Sequence, residues 1–417
     1  MKSYSNYKDS GVKWIGQIPQ HWEVRKIKYV FTERTEKGFP EEPVLCSTQK
    51  YGVIPQSMYE NRVVVVNKGL YGLKLVRKGD FVISLRSFQG GIEYAYYQGI
   101  ISAAYTILEK NDNVSADYLK YLLKSHRFIQ LLQTCVTGIR EGQNINYGLL
   151  RKSSLPLPPL SEQLSIVSYL DVKISAMDRL VLLTQQKVEH LKALKQAIIQ
   201  EAVTRGIPNK NHILKQTNIK WIKQIPQHWE MKKIRSLFSE RKEKVSDKEW
   251  EALSVSKQGI TPQLESAVKT DNGDNRKKVC CGDFVVNSRS DRKGSCGFSD
   301  YDGSVSLISI VLKPRNIIGK YYHYLLRSND YIEEFYRNGR GIVADLWTTR
   351  YSEMKNIELP FPPLSEQEEI VAYLDEKTAK IDLLIDKELQ QIDHIKDLKQ
   401  TLIADVVTGK VDVTTKR

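Results

Sequence analysis

The chain reads as a mixed α+β protein made by internal duplication. It should hold two globular domains and two long helices that pair as an antiparallel coiled coil, with pseudo-two-fold repetition. Three observations predict this. Residues 13–27 (KWIGQIPQHWEVRKI) return as residues 220–234 (KWIKQIPQHWEMKKI), identical at 12 of 15 positions. Residues 155–163 (LPLPPLSEQ) return as residues 359–367 (LPFPPLSEQ), differing only at Leu157 and Phe361. Each second motif is followed by apolar residues in steps of four and three over roughly five heptads. The repeat is roughly 205 residues long, so this is one duplicated unit and not a solenoid of short repeats.

The elements follow in order. Residues 1–155 form the first globular domain, with β-rich runs at Val63–Val66 and Phe81–Ile83 and a helical stretch near Tyr118 to Leu132. Its turn signals are Gly52, Gly69, Gly72, Gly79, Gly90 and Gly91. Residues 156–206 form the first long helix. It starts after Pro158-Pro159, with Ser161 as N-cap and Glu162 in the first turn, where the helix dipole favours negative charge. Residues 207–359 and 360–417 repeat the scheme, with Ser365 and Glu366 in the corresponding places. The first seam is Leu170, Ile174, Met177, Val181, Thr184, Val188, Leu191, Lys195, Ile198 and Ala202. The second is Leu374, Thr378, Ile381, Ile385, Glu388, Ile392, Ile395, Lys399, Leu402 and Val406. The polar members can set register or end the tight packing.

The 417 residues carry 63 Lys+Arg against 49 Asp+Glu, a net charge of +14. That balance favours a polyanionic partner, nucleic acid ahead of an anionic membrane. No apolar run reaches the roughly 18–20 residues of a membrane span. The residues after Met1 have no apolar core, so a secretory signal is not expected. Cys46, Cys135, Cys280, Cys281 and Cys296 are odd in number and irregularly spaced, which fits reduced thiols in a cytoplasm.

The frame between the motifs is shared as well. Gly79-Asp80-Phe81-Val82 matches Gly282-Asp283-Phe284-Val285, and Arg86-Ser87 matches Arg289-Ser290. Tyr118 to Leu123 matches Tyr321 to Leu326, whereas Gln89 to Glu93 and Arg292 to Cys296 have diverged. Two readers of different targets on one scaffold would look like this. The order W-x-x-x-I-P-x-H-W-E, variable domain, L-P-x-P-P-L-S-E-Q and long helix, given twice, resembles the specificity subunit of type I restriction–modification enzymes over essentially the whole chain. The resemblance implies two target-recognition domains, each reading one half of an asymmetric bipartite site in double-stranded DNA. It implies that the helices act as spacer and as dock for two modification (adenine methyltransferase) subunits, with restriction subunits as possible further partners. S-adenosylmethionine, ATP and Mg would then belong to the partners, and this chain would carry no cofactor and no catalytic residue.

The motifs for such chemistry are absent from the sequence. There is no G-x-x-x-x-G-K-[ST] loop and no Asn-Pro-Pro-aromatic tetrad. The cysteines lack the C-x-x-C pairs of structural zinc, so no metal is expected. His21 and His228 read as packing or capping partners of Trp22 and Trp229, and the carboxylates at Glu33–Glu36 and Glu240–Glu243 as solvated helix faces.

Candidate DNA contacts are loop residues beside frame glycines. Aligning Gln49-Lys50-Tyr51-Gly52 with Ser256-Lys257-Gln258-Gly259 assigns Lys50 and Lys257 to phosphate or guanine and Gln49 and Gln258 to adenine. Arg86, Ser87, Arg289 and Ser290 open the divergent loops, and Arg140, Arg292, Lys293 and Arg350 are further candidates. Two other readings stay open at this point: a self-sufficient sequence-specific nuclease or methyltransferase, and a coiled-coil scaffold whose end domains bind proteins.

Overall fold

The computed structural model describes residues 3–61, 69–111, 113–137, 144–208, 210, 212–263, 273–341 and 347–414. Val63–Val66 and Arg140 lie outside the described residues. The chain divides into two compact units, Met1–Thr184 with Gln390–Arg417, and Gln185–Leu389. The principal helices are α1 (Ala116–Leu122), α2 (His126–Thr134), α3 (Leu160–Arg205), α4 (Gly319–Leu326), α5 (Asn329–Arg337) and α6 (Leu364–Val407). The long helices α3 and α6 each lend one part to each unit.

The first unit is built on a four-stranded antiparallel sheet in the order Phe31–Arg34, Thr106–Lys110, Phe81–Ile83, Glu93–Tyr94. Strand Phe81–Ile83 is apolar throughout because both its faces are covered. Phe81 and Ile83 enter a core with Trp22, Tyr118, Leu155 and Leu170, while Val82 enters a smaller one with Leu45, Val53 and Ile107. The second unit repeats the order with Phe238–Glu240, Ser309–Pro314, Phe284–Asn287 and Cys296–Phe298. Phe284 and Val286 face one core there, and Val285 the other. The glutamate runs read as helix faces are strand ends instead. Glu36 pairs with Arg77 at 2.8 Å, and Glu243 with Lys278 at 2.8 Å.

Two local expectations are corrected. The helical stretch at Tyr118 to Leu132 is two helices, because Ser125 takes an extended ψ of 143° and accepts from Phe128 N as the N-cap of α2. Ser161 and Ser365 are not N-caps: α3 begins at Leu160 and α6 at Leu364, so both serines lie inside the first turn. Proline has a φ suited to helix entry, and its carbonyl accepts the first bonds, from Glu162 N to Pro159 O and from Glu366 N to Pro363 O.

The duplicated motifs meet in space. Strand Glu23–Lys26, leaving the first motif, pairs antiparallel with Ser154–Leu157, entering the second. Glu230–Lys233 pairs with Glu358–Phe361 in the same way. Glu162 then accepts from Trp22 Nε1 at 3.0 Å, 2.8 Å from His21 Nε2. Glu366 accepts from Trp229 Nε1 at 3.0 Å, 2.8 Å from His228 Nε2. The neighbouring glutamines complete the joint. Gln163 Oε1 accepts from Ser115 N just before α1, and Gln367 Oε1 from Ile318 N just before α4. Buried Tyr118 places its hydroxyl 3.0 Å from both Pro156 O and Val407 O. In the second unit two tyrosines share those roles, Tyr321 donating to Val203 O and Tyr322 to Pro360 O.

Within each unit α3 and α6 run antiparallel. In the second, Lys187 pairs with Glu388 and Lys195 with Asp382, both at 2.6 Å, so advancing on one helix retreats on the other. In the first, Lys399 pairs with Asp178 at 2.6 Å. Leu170, Ile174, Val188, Leu374, Ile381, Ile392, Ile395 and Leu402 are buried in the seams, and Met177, Val181, Leu191, Ile198 and Ile385 half-buried. The polar positions Lys195 and Lys399 reach across to the facing helix, while Thr184 bonds back to Leu180 O.

The repeated Gly-Asp also has a physical cause. Asp80 accepts from Arg77 N in its own turn and from Arg34 Nη1 at 2.6 Å, and Asp283 accepts from Cys280 N and from Arg241 Nε at 2.7 Å. Arg34 and Asp80 are almost fully buried. Removing one partner of a buried ion pair strands the other, at about 3–5 kcal/mol. Arg34→Met should therefore destabilise the first unit by that order, read as an earlier urea transition. Arg34→Met with Asp80→Leu should recover part of the loss.

Candidate nucleic-acid interface

Three pieces of each unit converge: a hairpin tip, a turn after the central strand, and the corner between two short helices. The first hairpin joins Leu45–Thr48 to Gly52–Pro55, and the second joins Leu253–Ser256 to Gly259–Pro262. Thr48 pairs with Gly52 and Ser256 with Gly259, each hydroxyl donating to that glycine's carbonyl. The equivalent of Ser256 is thus Thr48 and not Gln49, which corrects the alignment by one residue. The first tip is Gln49-Lys50-Tyr51, and the second is one residue shorter, Lys257-Gln258. All five side chains are exposed, and the Lys50 ammonium lies 4.9 Å from the Tyr51 ring centroid.

Each tip is held from the helix corner by a cation. Lys124 Nζ donates to Gln49 O at 2.7 Å, and Arg327 Nη2 to Lys257 O at 2.6 Å. The sequence repeat runs on past Leu123 and Leu326 into Lys124-Ser125-His126 and Arg327-Ser328-Asn329. The repeat, followed one residue further, identifies both cations. Beside each tip lies a cleft with an equivalent frame and a different lining. The first, about 600 Å³, is lined by Gln49, Gln89, Lys124, His126, Gln130 and Gln133 among others. The second, about 530 Å³, has Lys195, Lys257, Lys293, His323, Arg327 and Glu333 among its lining residues. An amide surface that both donates and accepts faces one opening, and a largely cationic one faces the other.

The remaining candidates fall on the turns. Arg86 is exposed at the end of its loop, but Ser87 is buried and accepts from Ser84 N at 2.9 Å, so it shapes the turn and presents no surface. In the second unit Arg289 and Arg292 are exposed on either side of Asp291, with Arg289 Nε 3.0 Å from its carboxylate. Ser290 is half-buried, its N–H donating to Trp347 O. Lys293 pairs with Glu333 at 2.6 Å. Bridges from Thr348 to Arg289 and Arg340 bring exposed Arg340 and Trp347 to this patch, with Arg350 two residues further on at the start of a one-turn helix. Arg340 and Trp347 were not foreseen, because that contact joins segments about fifty residues apart in the chain. Lys257 and Lys293 share one cleft, whereas Lys50 and Arg86 do not line the cleft that holds Gln49.

Residues 19–193 and 226–394 match the Type I restriction modification DNA specificity domain, and the chain belongs to that family. It is 24% identical over 438 residues to the type I restriction enzyme MjaVIII specificity subunit of Methanocaldococcus jannaschii, covering 98% of this chain and 97% of that one. It is 22% identical to the EcoKI specificity subunit of Escherichia coli strain K12, over 73% of this chain and 68% of that one. Its fold is similar to a chain from the structure titled for complex assembly and conformational transition of the type I R-M system, with a TM-score of 0.66, 16% identity and coverage of 94% and 99%. The crystal structure of the HsdS subunit from Thermoanaerobacter tengcongensis gives a TM-score of 0.51 at 16% identity, with coverage of 94% and 98%. Among the described residues no helix is long and apolar enough to cross a membrane.

One titration belongs to the second cleft. Burial, helped by Arg327, pushes the His323 imidazole down to about 4. Lys320 adds to the shift and Asp300 opposes it. With the folded value below the unfolded one, the unfolded state takes up the proton first. The stabilisation is present above about pH 6.5 and is lost as pH falls towards 4. Between pH 7 and pH 5 the second unit should lose roughly 1–2 kcal/mol through this residue. Urea unfolding of wild type against His323→Gln at the two pH values measures it, and the variant should lose less.

Proposed function

We infer that the chain is the DNA sequence-specificity subunit of a type I restriction–modification complex, with residues 1–155 and 207–359 each reading one half of an asymmetric bipartite site. One observation carries this reading. The two units share frame, sheet order and joint, and differ where side chains meet solvent, at the tips, turns and clefts. A scaffold that holds two differently equipped surfaces suits two different half-sites. Lys50, Lys257, Arg86, Arg289 and Arg292 would supply phosphate and guanine contacts, and Gln49, Gln89 and Gln258 adenine contacts.

The subunit itself is non-catalytic in this reading. S-adenosylmethionine, ATP and Mg belong to the modification and restriction subunits. The paired helices act as spacer and dock. Exposed leucines recur at equivalent places on both helices: Leu160 with Leu364, Leu180 with Leu384, and Leu194 with Leu398. Apolar groups at repeated solvent-facing positions support two equivalent partner subunits.

The test is a map of methylated adenines in cells with and without this chain, and with Arg289→Ala. A split motif with an unread spacer should lose methylation without the chain. The variant should relax or weaken one half only, at a cost of about 1–3 kcal/mol of discrimination. An unchanged map refutes the reading, and a variant that alters both halves or neither refutes the assignment of Arg289.

A further inference from the structure

The carboxylate at the joint keeps different company in the two units. In the first, Tyr4 Oη and Trp22 Nε1 both donate to Glu162 Oε1, and His21 Nε2 lies 2.8 Å from Oε2, so both oxygens are engaged. In the second, His228 Nε2 and Trp229 Nε1 converge on Glu366 Oε2. The phenol is replaced by an imidazole, and His212 Nε2 stands 3.5 Å from Glu366 Oε1. That is longer than the roughly 2.7–3.2 Å of an N–H···O bond. Both atoms are buried, and neither has a hydrogen-bond partner among the described residues.

The gap has the size of a shared cation. Ligands at about 2.0–2.2 Å from a tetrahedral zinc ion stand roughly 3.3–3.5 Å from one another. One ligand atom from each of His212, His228 and Glu366 can be chosen so that all lie within 4.8 Å of one another. Gly206, with φ +83°, follows α3 directly beside them. A Cβ there would come to 3.0 Å from His212 Nε2 and 3.5 Å from Glu366 Oε1, so the glycine keeps that space open. His228 is 49% exposed, which leaves an entry path from solvent.

We propose that His212, His228 and Glu366 form a zinc site confined to the second unit. The ligand set decides the metal class: two imidazoles and one carboxylate suit Zn²⁺, whereas Mg²⁺ and Ca²⁺ take oxygen ligands. The ion fastens the segment leading into strand Leu214–Ile219 to the first turn of α6. It does for the second unit what Tyr4 does for the first. No metal was expected from the sequence, because these ligands fall in no cysteine or histidine spacing motif and meet only through the fold.

The experiment titrates the full-length chain, stripped with a chelator, with zinc sulfate by calorimetry, and with cobalt to read tetrahedral d–d absorption. One zinc per chain is expected. Binding should weaken at least tenfold in His212→Ala and in His228→Ala, and stay as in wild type in His21→Ala. Zinc should raise the unfolding temperature of wild type and not of the first two variants. His228 is half exposed, so its variant keeps the test intact if His212→Ala folds poorly. No bound zinc, or zinc bound equally by wild type and His228→Ala, overturns the proposal.

Discussion

The constraint on which each unit depends is a carboxylate in the first turn of a long helix, gripping an indole and an imidazole from a turn between two strands some 140 residues away. Glu162 and Glu366 sit where the helix dipole favours negative charge, and little of either side chain reaches water. A buried carboxylate must have its oxygens met, and the charge strengthens each bond it accepts. The adjoining Gln163 and Gln367 carry the joint onward to the first short helix of each unit. One dipeptide thus ties together the entering strand, the long helix and the helical corner from which the hairpin tip is held.

This explains what the duplication kept and what it released. The Trp of His-Trp-Glu, the Glu-Gln of Ser-Glu-Gln and the Asp of Gly-Asp recur because each is half of a polar contact that is largely buried, and a change on one side strands the other. The exposed side chains of the tips answer to no such partner; in the clefts the frame cation is kept, Lys124 pairing with buried Glu93 at 2.7 Å, while the residues around it vary. Tips and linings have diverged in length at the hairpin and in charge at the cleft, from glutamine-rich to cationic. Rigid frames with free loops are the usual way to change recognition without changing fold.

Much of the frame was legible in the sequence, because its causes are local or periodic. The seam followed from steps of four and three, and the strand Phe81–Ile83 from its unbroken apolar run. Other features depended on single atoms. The helix break at Ser125 and the start at Leu160 are decisions of one residue, and the one-residue difference between the hairpins is invisible until Thr48 and Ser256 are seen closing them. The clefts were the least legible. Gln49, Gln89 and Lys124, or Lys257, Lys293 and Arg327, come from separate segments, and only the sheet order brings them together.

Hydrogen exchange of Glu162→Ala tests the central role of the joint most directly. Exchange should accelerate in Glu23–Lys26, Ser154–Leu157 and the start of α1, while Glu230–Lys233 and Glu358–Phe361 keep their wild-type protection. Unchanged exchange in the first set would mean that the carboxylate does not hold the unit together, and would contradict the account.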